Sequence, residues 1–214
     1  MFGSRMLAMA GVIGSLLVGC ATVEIRETRV VTGRLTDESG QAVAGTPVVI
    51  VGRSLALAAR RLEYDEHGRQ EARTATDAQG RYRVEFVPAN LGNNFYLFFY
   101  DQTGFDRVKY RQPEPLDITD LLGGSRTATV NQVLQFQPSW AEVQRQIAYY
   151  GAESDRGKIL RRYGLPEKRE TSGTGDSALD VWWYYANGVS YWFTGDRLTR
   201  THEFTPIRGV APTK

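Results

Sequence analysis

The hydrophobic and polar positions of this chain fall into three regimes. Residues 7–18 are apolar or small and carry no charge. That run of about a dozen residues has the length of a signal-peptide core and falls short of the roughly 20 needed to span a bilayer. From Val30 the period becomes two. Val30 to Thr36 is rich in β-branched residues, Pro47 to Val51 is apolar, and Arg81 to Phe86 alternates polar with apolar. Asn94 to Tyr100 is a nearly continuous aromatic run that suits a central strand, and Phe105 to Arg111 and Thr127 to Phe136 supply two more candidates. About seven short strands with turn signals between them predict a β-sandwich. Leu55 to Gln70 interrupts the pattern: Leu55 to Leu62 holds helix formers, Asp65 to Gly68 reads as a turn, and the segment is expected to be an excursion between strands.

After Pro138 the period changes again. Ser139 is an N-cap candidate for a helix over 140–150, with Glu142 three residues later as in a capping box. Val143, Ile147 and Tyr150 form an apolar stripe at helical spacing, and Gly151 ends it. Ser154 or Asp155 caps a second helix through Tyr163, which Gly164 and Pro166 stop. Glu170 to Ser177 reads as a Ser/Thr/Gly loop. Leu179 to Tyr185 and Val189 to Phe193 flank Asn187-Gly188, a type I′ hairpin signal, and Arg197 to Phe204 gives a third strand. The expected fold class is therefore mainly β plus α+β: a sandwich of about seven strands over 30–137, then a small α-α-β-β-β domain over 138–207, with a tail over 208–214.

The first unit echoes itself, since Thr36-Asp37-Glu38-Ser39-Gly40 and Thr76-Asp77-Ala78-Gln79-Gly80 share the pattern Thr-Asp-x-x-Gly. The segment from Gly33 to Ile50, followed by Thr76 to Phe86, resembles the carboxypeptidase-regulatory-like (transthyretin-like) sandwich domains. The resemblance implies the fold; such domains are mostly spacers and binding modules. The active-site His and Arg set and the C-terminal tetrapeptide of the transthyretin-like hydrolases do not occur here, so hydrolysis does not carry over. The second unit resembles the SmpA/OmlA (BamE-like) lipoprotein domain, through Arg162-Tyr163-Gly164-Leu165-Pro166, Trp183-Tyr184-Tyr185 and Phe193-Thr194-Gly195-Asp196-Arg197-Leu198. That family contains small outer-membrane lipoproteins, one of which assists β-barrel assembly. What the resemblance implies here is binding or scaffolding in the envelope.

The apolar leader changes meaning at its end. Arg5 precedes it, and Leu17-Val18-Gly19-Cys20 matches the bacterial lipobox around the only cysteine of the chain. The match implies cleavage after residue 19, acylation of Cys20 (palmitate being a typical chain), and a lipidated tether over 20–29. Two or more acyl chains hold a protein stably on its membrane. Ala21 rather than Asp after the cysteine favours the periplasmic face of the outer membrane. A lipidated Cys20 leaves no thiol for a disulfide, so stability must come from packing, for which 42% hydrophobic and 11% aromatic residues suffice. The chain of 214 residues has 26 basic and 24 acidic groups and no block of like charge, which argues against a nucleic-acid partner.

Chemistry-bearing patterns are sparse. No G-x-S-x-G, H-E-x-x-H, P-loop or dinucleotide fingerprint is present. Asp65, Glu66 and His67 are neighbours on a tight turn, a poor arrangement for converging on one ion, and His202 reads as a strand residue. No enzymatic activity, cofactor or metal is expected. The aromatic hairpin is the sharper feature: Trp182, Trp183, Tyr184, Tyr191 and Trp192 are candidates for partner binding, with alternation sending them to both faces. Asn90 to Asn94 is a polar loop read as a connection. The expected role is a non-enzymatic, lipid-anchored envelope protein that binds or scaffolds another envelope protein, in outer-membrane assembly or maintenance. The alternative is a lipoprotein that binds glycan or peptidoglycan through exposed aromatics.

Overall fold

The computed structural model describes residues 27–58, 61–88, 91–92, 94–101, 103–175, 178–207 and 209, and the backbone alone within 54–70. The leader, Cys20, the side chains of Asp65, Glu66 and His67, residues 90 and 93, and nearly all of the tail lie outside that description. The described chain is mostly β, with three sheets and few helices. None of those helices is long and apolar enough to cross a membrane.

Two sheets enclose the first core. β1 (Arg29–Asp37) pairs antiparallel with β4 (Arg81–Phe86) and parallel with β7 (Thr127–Thr129) and β8 (Gln132–Leu134). β2 (Pro47–Ala58) lies between β3 (Arg61–Ala75) and β5 (Asn94–Phe98), and β5 also pairs with the two-residue β6 (Leu116–Asp117). Val31, Leu35, Val84 and Leu134 from one sheet meet Val48, Ile50, Leu97 and Phe99 from the other in a single cluster. The alternation of β4 is fully expressed: Tyr82, Val84 and Phe86 are buried while Arg81, Arg83 and Glu85 are exposed. The aromatic run splits by parity in the same way, with Phe95, Leu97 and Phe99 inside. A short helix, α1 (Thr119–Gly123), buries Leu122 against this core.

The repeated Thr-Asp-x-x-Gly pattern makes one device twice. Asp37 Oδ1 accepts the backbone N–H groups of Ser39 and Gln41, both at 3.0 Å, and Asp77 Oδ1 accepts those of Gln79 (2.9 Å) and Arg81 (2.8 Å). Gly40 and Gly80 close the turns at φ 79° and 72°. Gly80 is doubly constrained, because a Cβ there would lie 2.3 Å from the carbonyl oxygen of Leu35. The second turn thereby seats directly on β1.

Four expectations change. Residues 127–136 form two strands rather than one. A Cβ at Gly33 would lie 1.8 Å from the Val130 oxygen, and the Asn131 side-chain Oδ1 accepts the Arg34 N–H, so the backbone ladder to β1 is interrupted between β7 and β8. Residues 105–111 are a turn with a single bridge from Tyr110 to Phe136, since Asp106 Oδ1 accepts the N–H groups of Val108 and Lys109 and bends the chain there. Leu55 to Gln70 continues β2 and β3 as a ribbon, strand pairing overriding local helix propensity. With β3 counted, the first unit has eight strands among the described residues, against the expected seven or so.

Asp37 ties this unit to the segment that leads to the second. It is 3% exposed and accepts the Ser39 hydroxyl (2.6 Å), with Tyr110 Oη at 3.5 Å and Lys109 Nζ at 3.6 Å. Burial pushes its carboxyl up, but the Ser39 and Gln41 hydrogen bonds and the Lys109 charge outweigh burial and hold it below the usual carboxylate range. A folded-state pKa below the unfolded value of about 4 gives stability that is present above pH 4 and lost as pH falls through the folded value. Asp37→Asn is expected to cost about 1–2 kcal/mol at pH 7 and to flatten the loss of stability below about pH 4. Urea denaturation across pH 2–7 checks this, and superimposable acid limbs would contradict it.

Candidate functional site: the aromatic sheet of the C-terminal unit

The second unit packs two helices against one face of a sheet. α2 (Trp140–Tyr150) places Val143, fully buried, with Ile147 and Tyr150 on the core side, as the stripe predicts. Its start is not the expected capping box: Ser139 has helical dihedrals and makes no side-chain cap, while Glu142 accepts from Arg145 and Gln146. α3 (Asp155–Tyr163) is capped by Ser154, whose Oγ accepts the Gly157 N–H at 3.0 Å. The sheet has the order β12-β11-β10-β9, from β9 (Lys168–Ser172), β10 (Leu179–Tyr184), β11 (Val189–Thr194) and β12 (Arg197–Glu203). The unit is therefore α-α-β-β-β-β. Lys-Arg-Glu-Thr-Ser gives no apolar alternation, and β9 exists through its pairing with β10.

The β10–β11 connection is also not the two-residue turn expected from Asn187-Gly188. Tyr184 pairs with Val189, leaving a four-residue loop. Glu167 sets it, accepting the N–H groups of Tyr185 and Ala186, each at 3.1 Å. Gly188 closes it at φ 66°, where a Cβ would lie 2.3 Å from the Phe204 oxygen.

A buried carboxylate holds the sheet to the helices. Asp180, 4% exposed, accepts from Arg169 Nε (2.8 Å) and Nη2 (2.9 Å), Trp182 Nε1 (3.0 Å), Thr171 Oγ1 (3.2 Å) and Arg156 Nη2 (3.3 Å). Arg156, on α3, is 5% exposed; its guanidinium lies 4.3 Å from the Phe193 ring centre and 5.1 Å from that of Tyr150. It also donates to the Gly195 carbonyl at 2.8 Å, and its Nε is a buried N–H without a partner. Three strands and α3 thus meet around one charge pair, which sequence patterning does not reveal.

Parity then divides the aromatics. Trp182 (2% exposed) and Tyr184 (1% exposed) are core, so neither is available as a surface contact. Trp182 packs on Phe193 and Tyr150, with ring centres at 5.1 and 5.6 Å. The Tyr184 hydroxyl donates to the Gly164 carbonyl at 3.0 Å, and burial pushes its phenol well above its ordinary pKa. Tyr191 is on the same side, half-buried between Tyr163 and Tyr184. Only Trp183 and Trp192 of the five candidates face away from the helices. There Trp183 joins Tyr185 and Phe204, all three half-buried: Trp183 stacks on Tyr185 at 5.8 Å and 13°, and Phe204 touches both, at 6.0 and 6.1 Å, while Trp192 stands on the same face opposite Val181. His202 extends the cluster, its ring 6.3 Å from that of Phe204.

This outer face has a polar frame. Trp183 Nε1 donates to Glu170 (3.1 Å), Glu170 pairs with Lys168 (2.6 Å), Trp192 Nε1 donates to Ser190 (3.2 Å), and the Arg200 guanidinium lies 5.5 Å from the Trp192 ring centre. Beneath the rings, Val181 and Ser190 are buried although they point away from the helices. Val181 pairs with both Glu170 and Trp192, and Trp192 with Arg200, so β9 and β12 contribute to the same face. Among the described residues, no cluster of three or more His, Cys, Asp or Glu is placed to hold a metal ion.

The two units meet through the 105–110 turn. Val108 packs on the second core, Gln137 Nε2 donates to the carbonyls of Arg107 (3.1 Å) and Tyr110 (3.3 Å), and Lys109 Nζ lies 5.8 Å from the Trp140 ring centre. A groove of about 650 Å³ runs along this seam between Phe105 and Asn187.

No family model and no curated protein matches the chain. Among solved structures it is similar to a streptococcal ancillary pilin, at 17% identity over 50% of this chain and 32% of that one, with a TM-score of 0.31. It is similar to the C-terminal domain of a shaft pilin from Lactobacillus rhamnosus GG, at 11% identity over 52% of this chain and 99% of that one, with a TM-score of 0.31. A 9R-lipoxygenase from Cyanothece matches at 11% identity over 88% of this chain and 44% of that one, with a TM-score of 0.34. The chain spans about a third of the ancillary pilin and of the major pilin of Bacillus cereus, 32% and 30%. Likeness at this level assigns neither family nor activity.

Asp180→Ala leaves Arg156 buried with only the exposed Asp196 carboxylate, 3.2 Å from its Nη1, as a counter-charge. Breaking a buried pair in this way is expected to cost about 3–5 kcal/mol. Chemical denaturation followed by tryptophan fluorescence checks it, and a loss below about 1 kcal/mol, the scale of an exposed pair, would contradict the geometry.

Proposed function

We propose that the chain is a non-enzymatic lipoprotein of the bacterial envelope, anchored through Cys20, that docks an envelope protein on the outer face of its C-terminal sheet. The observation that carries the reading is the cluster of Trp183, Tyr185 and Phe204 on the face away from the helices, with Trp192 on the same face. Large amphipathic rings at a surface, over an already buried floor, are the residue types that dominate docking energetics. Their N–H groups are satisfied within the face, so a partner is not required to supply hydrogen bonds to them. The transthyretin-like resemblance of 30–137 and the BamE-like resemblance of 138–207 support a spacer followed by a binding module. The lipobox resemblance supports the periplasmic face of the outer membrane as its place, and assembly or maintenance of that membrane as its setting.

A second reading, glycan or peptidoglycan binding, is favoured by one feature. The Trp183–Tyr185 stack is bordered by Glu170 and Lys168, and Trp192 by Arg200, which join stacking surface to hydrogen-bonding groups. The face is a sheet surface rather than a cleft enclosing a sugar, and the protein reading is preferred.

Photo-crosslinking in living cells tests this. A photoreactive phenylalanine replaces Trp183 in the lipidated chain, with the exposed Lys158 of α3 as the control position. The expected result is one discrete protein adduct from position 183, absent from position 158, and lost when Phe204→Glu is added. No adduct above the control would overturn the reading. Retention of the chain on detergent-boiled sacculi, without an adduct, would replace it with the glycan reading.

A further inference from the structure

The long β2–β3 ribbon is unexplained by that function. β5 accompanies β2 only as far as the Arg53–Asn94 pair, and beyond it β2 pairs with β3 alone among the described residues. Residues 66–69 stand opposite Arg53 alone, where the register shifts, and pairing then resumes from Ser54–Asp65 to Ala58–Arg61. The distal ribbon is thus two strands without a third, which is marginal in water. Its register is informative. Leu55 stands opposite Tyr64 and Leu57 opposite Leu62, so these four positions share one face. Ser54, Ala56, Ala58, Arg61, Glu63 and Asp65 share the other. One side of a projecting ribbon is therefore entirely apolar and the other largely polar, a pattern that calls for an apolar phase on one side.

The topology says which surroundings that face meets. β1 begins at Arg29, paired with Phe86 at the end of β4, and Phe86 touches Phe95 at the start of β5, beside the Arg53–Asn94 pair. The point where the chain arrives from Cys20 and the point where the ribbon leaves the sandwich are therefore at one end. The other end carries the Asp37 turn, Tyr110 and Phe136, and the start of α2. Residues 21–28, between Cys20 and β1, reach about 26 Å when extended at roughly 3.3 Å per residue. The ribbon beyond Arg53 is five residues long, or about 17 Å. The tether therefore spans the ribbon's length, and acyl chains at Cys20 and the ribbon tip can occupy the same plane.

We propose that the apolar face of the distal ribbon, Leu55, Leu57, Leu62 and Tyr64, lies in the interface of the bilayer that holds the lipid on Cys20. This rests on the lipid-anchor reading above. The acyl chains give the affinity. The ribbon gives orientation: with a second contact at the same end, the sandwich stands off the membrane and the C-terminal sheet is held at its far end.

Because lipidation occupies the only cysteine, one introduced cysteine carries one label. Full-length lipidated chains with Leu57→Cys or Ala56→Cys, each carrying a nitroxide, are reconstituted in phosphatidylethanolamine–phosphatidylglycerol vesicles. Accessibility to oxygen against a water-soluble nickel chelate is then read. The expected ratio of oxygen to nickel accessibility is several-fold higher at position 57 than at position 56. Equal ratios at the two positions would overturn the proposal. So would strong spin–spin broadening at position 57 without lipid exposure, which would identify a second copy as the cover. The mass of the N-terminal peptide reads acylation of Cys20 separately. Should Cys20 prove unmodified, the anchor reading fails by itself, and the same labels on a Cys20→Ala background decide the ribbon: a raised ratio at position 57 upholds it, and equal ratios overturn it.

Discussion

The Asp180 carboxylate is the constraint on which the C-terminal unit depends. It accepts five N–H or O–H groups from β9, β10 and α3, and pairs with an arginine enclosed by three aromatic rings. A charge pair so buried adds little net stability over an apolar replacement, but it tolerates no other arrangement, because an unpaired partner is expensive. Its effect is to fix which side of β10 faces the helices. Once Asp180 points inward, strand alternation sends Trp182 and Tyr184 with it and Trp183 outward. The aromatic outer face is thus a consequence of the polar interior.

That dependence explains which parts of the site were legible in the sequence. The aromatic hairpin was conspicuous, and alternation announced two faces. Parity alone did not say which face is inner, because both sets are aromatic: Trp182 and Tyr184 look no more like core residues than Trp183 and Trp192. The deciding residues, Asp180, Arg156 and Arg169, are charged, and charge in a sequence ordinarily signals a solvated surface. Phe204 was invisible as a site member for another reason, since it joins the outer cluster from beyond β12, through the β11–β12 register.

The same distinction runs through the fold. Strands with a clear polar–apolar alternation, such as β4, a helix with its predicted cap, α3, and a helix with an apolar stripe, α2, were readable within about a residue. β9 was not, because an edge strand of Lys, Arg, Glu, Thr and Ser has no hydrophobic period; a charged edge also resists pairing with other chains. The β2–β3 ribbon was misread because Leu and Ala are good helix formers, and the pairing that overrides them is non-local. The Thr-Asp-x-x-Gly turns were the opposite case: carboxylate, spacing and glycine all act within five residues, and both turns formed alike.

The two ends of the sandwich give the molecule its polarity. The chain enters beside the ribbon, and the Asp37–Lys109–Tyr110 cluster at the opposite end passes the chain on to α2. On this account the sandwich is a spacer and the C-terminal sheet is the business end. The most direct measurement compares, in cells, the adducts formed by a general amine crosslinker on the intact chain and on a chain truncated after Gln137, both keeping Cys20 and both confirmed as folded by protease resistance of the sandwich. The account predicts a specific envelope-protein adduct with the intact chain that disappears on truncation. The same adduct at equal yield from both chains would place the binding surface in the sandwich and contradict it.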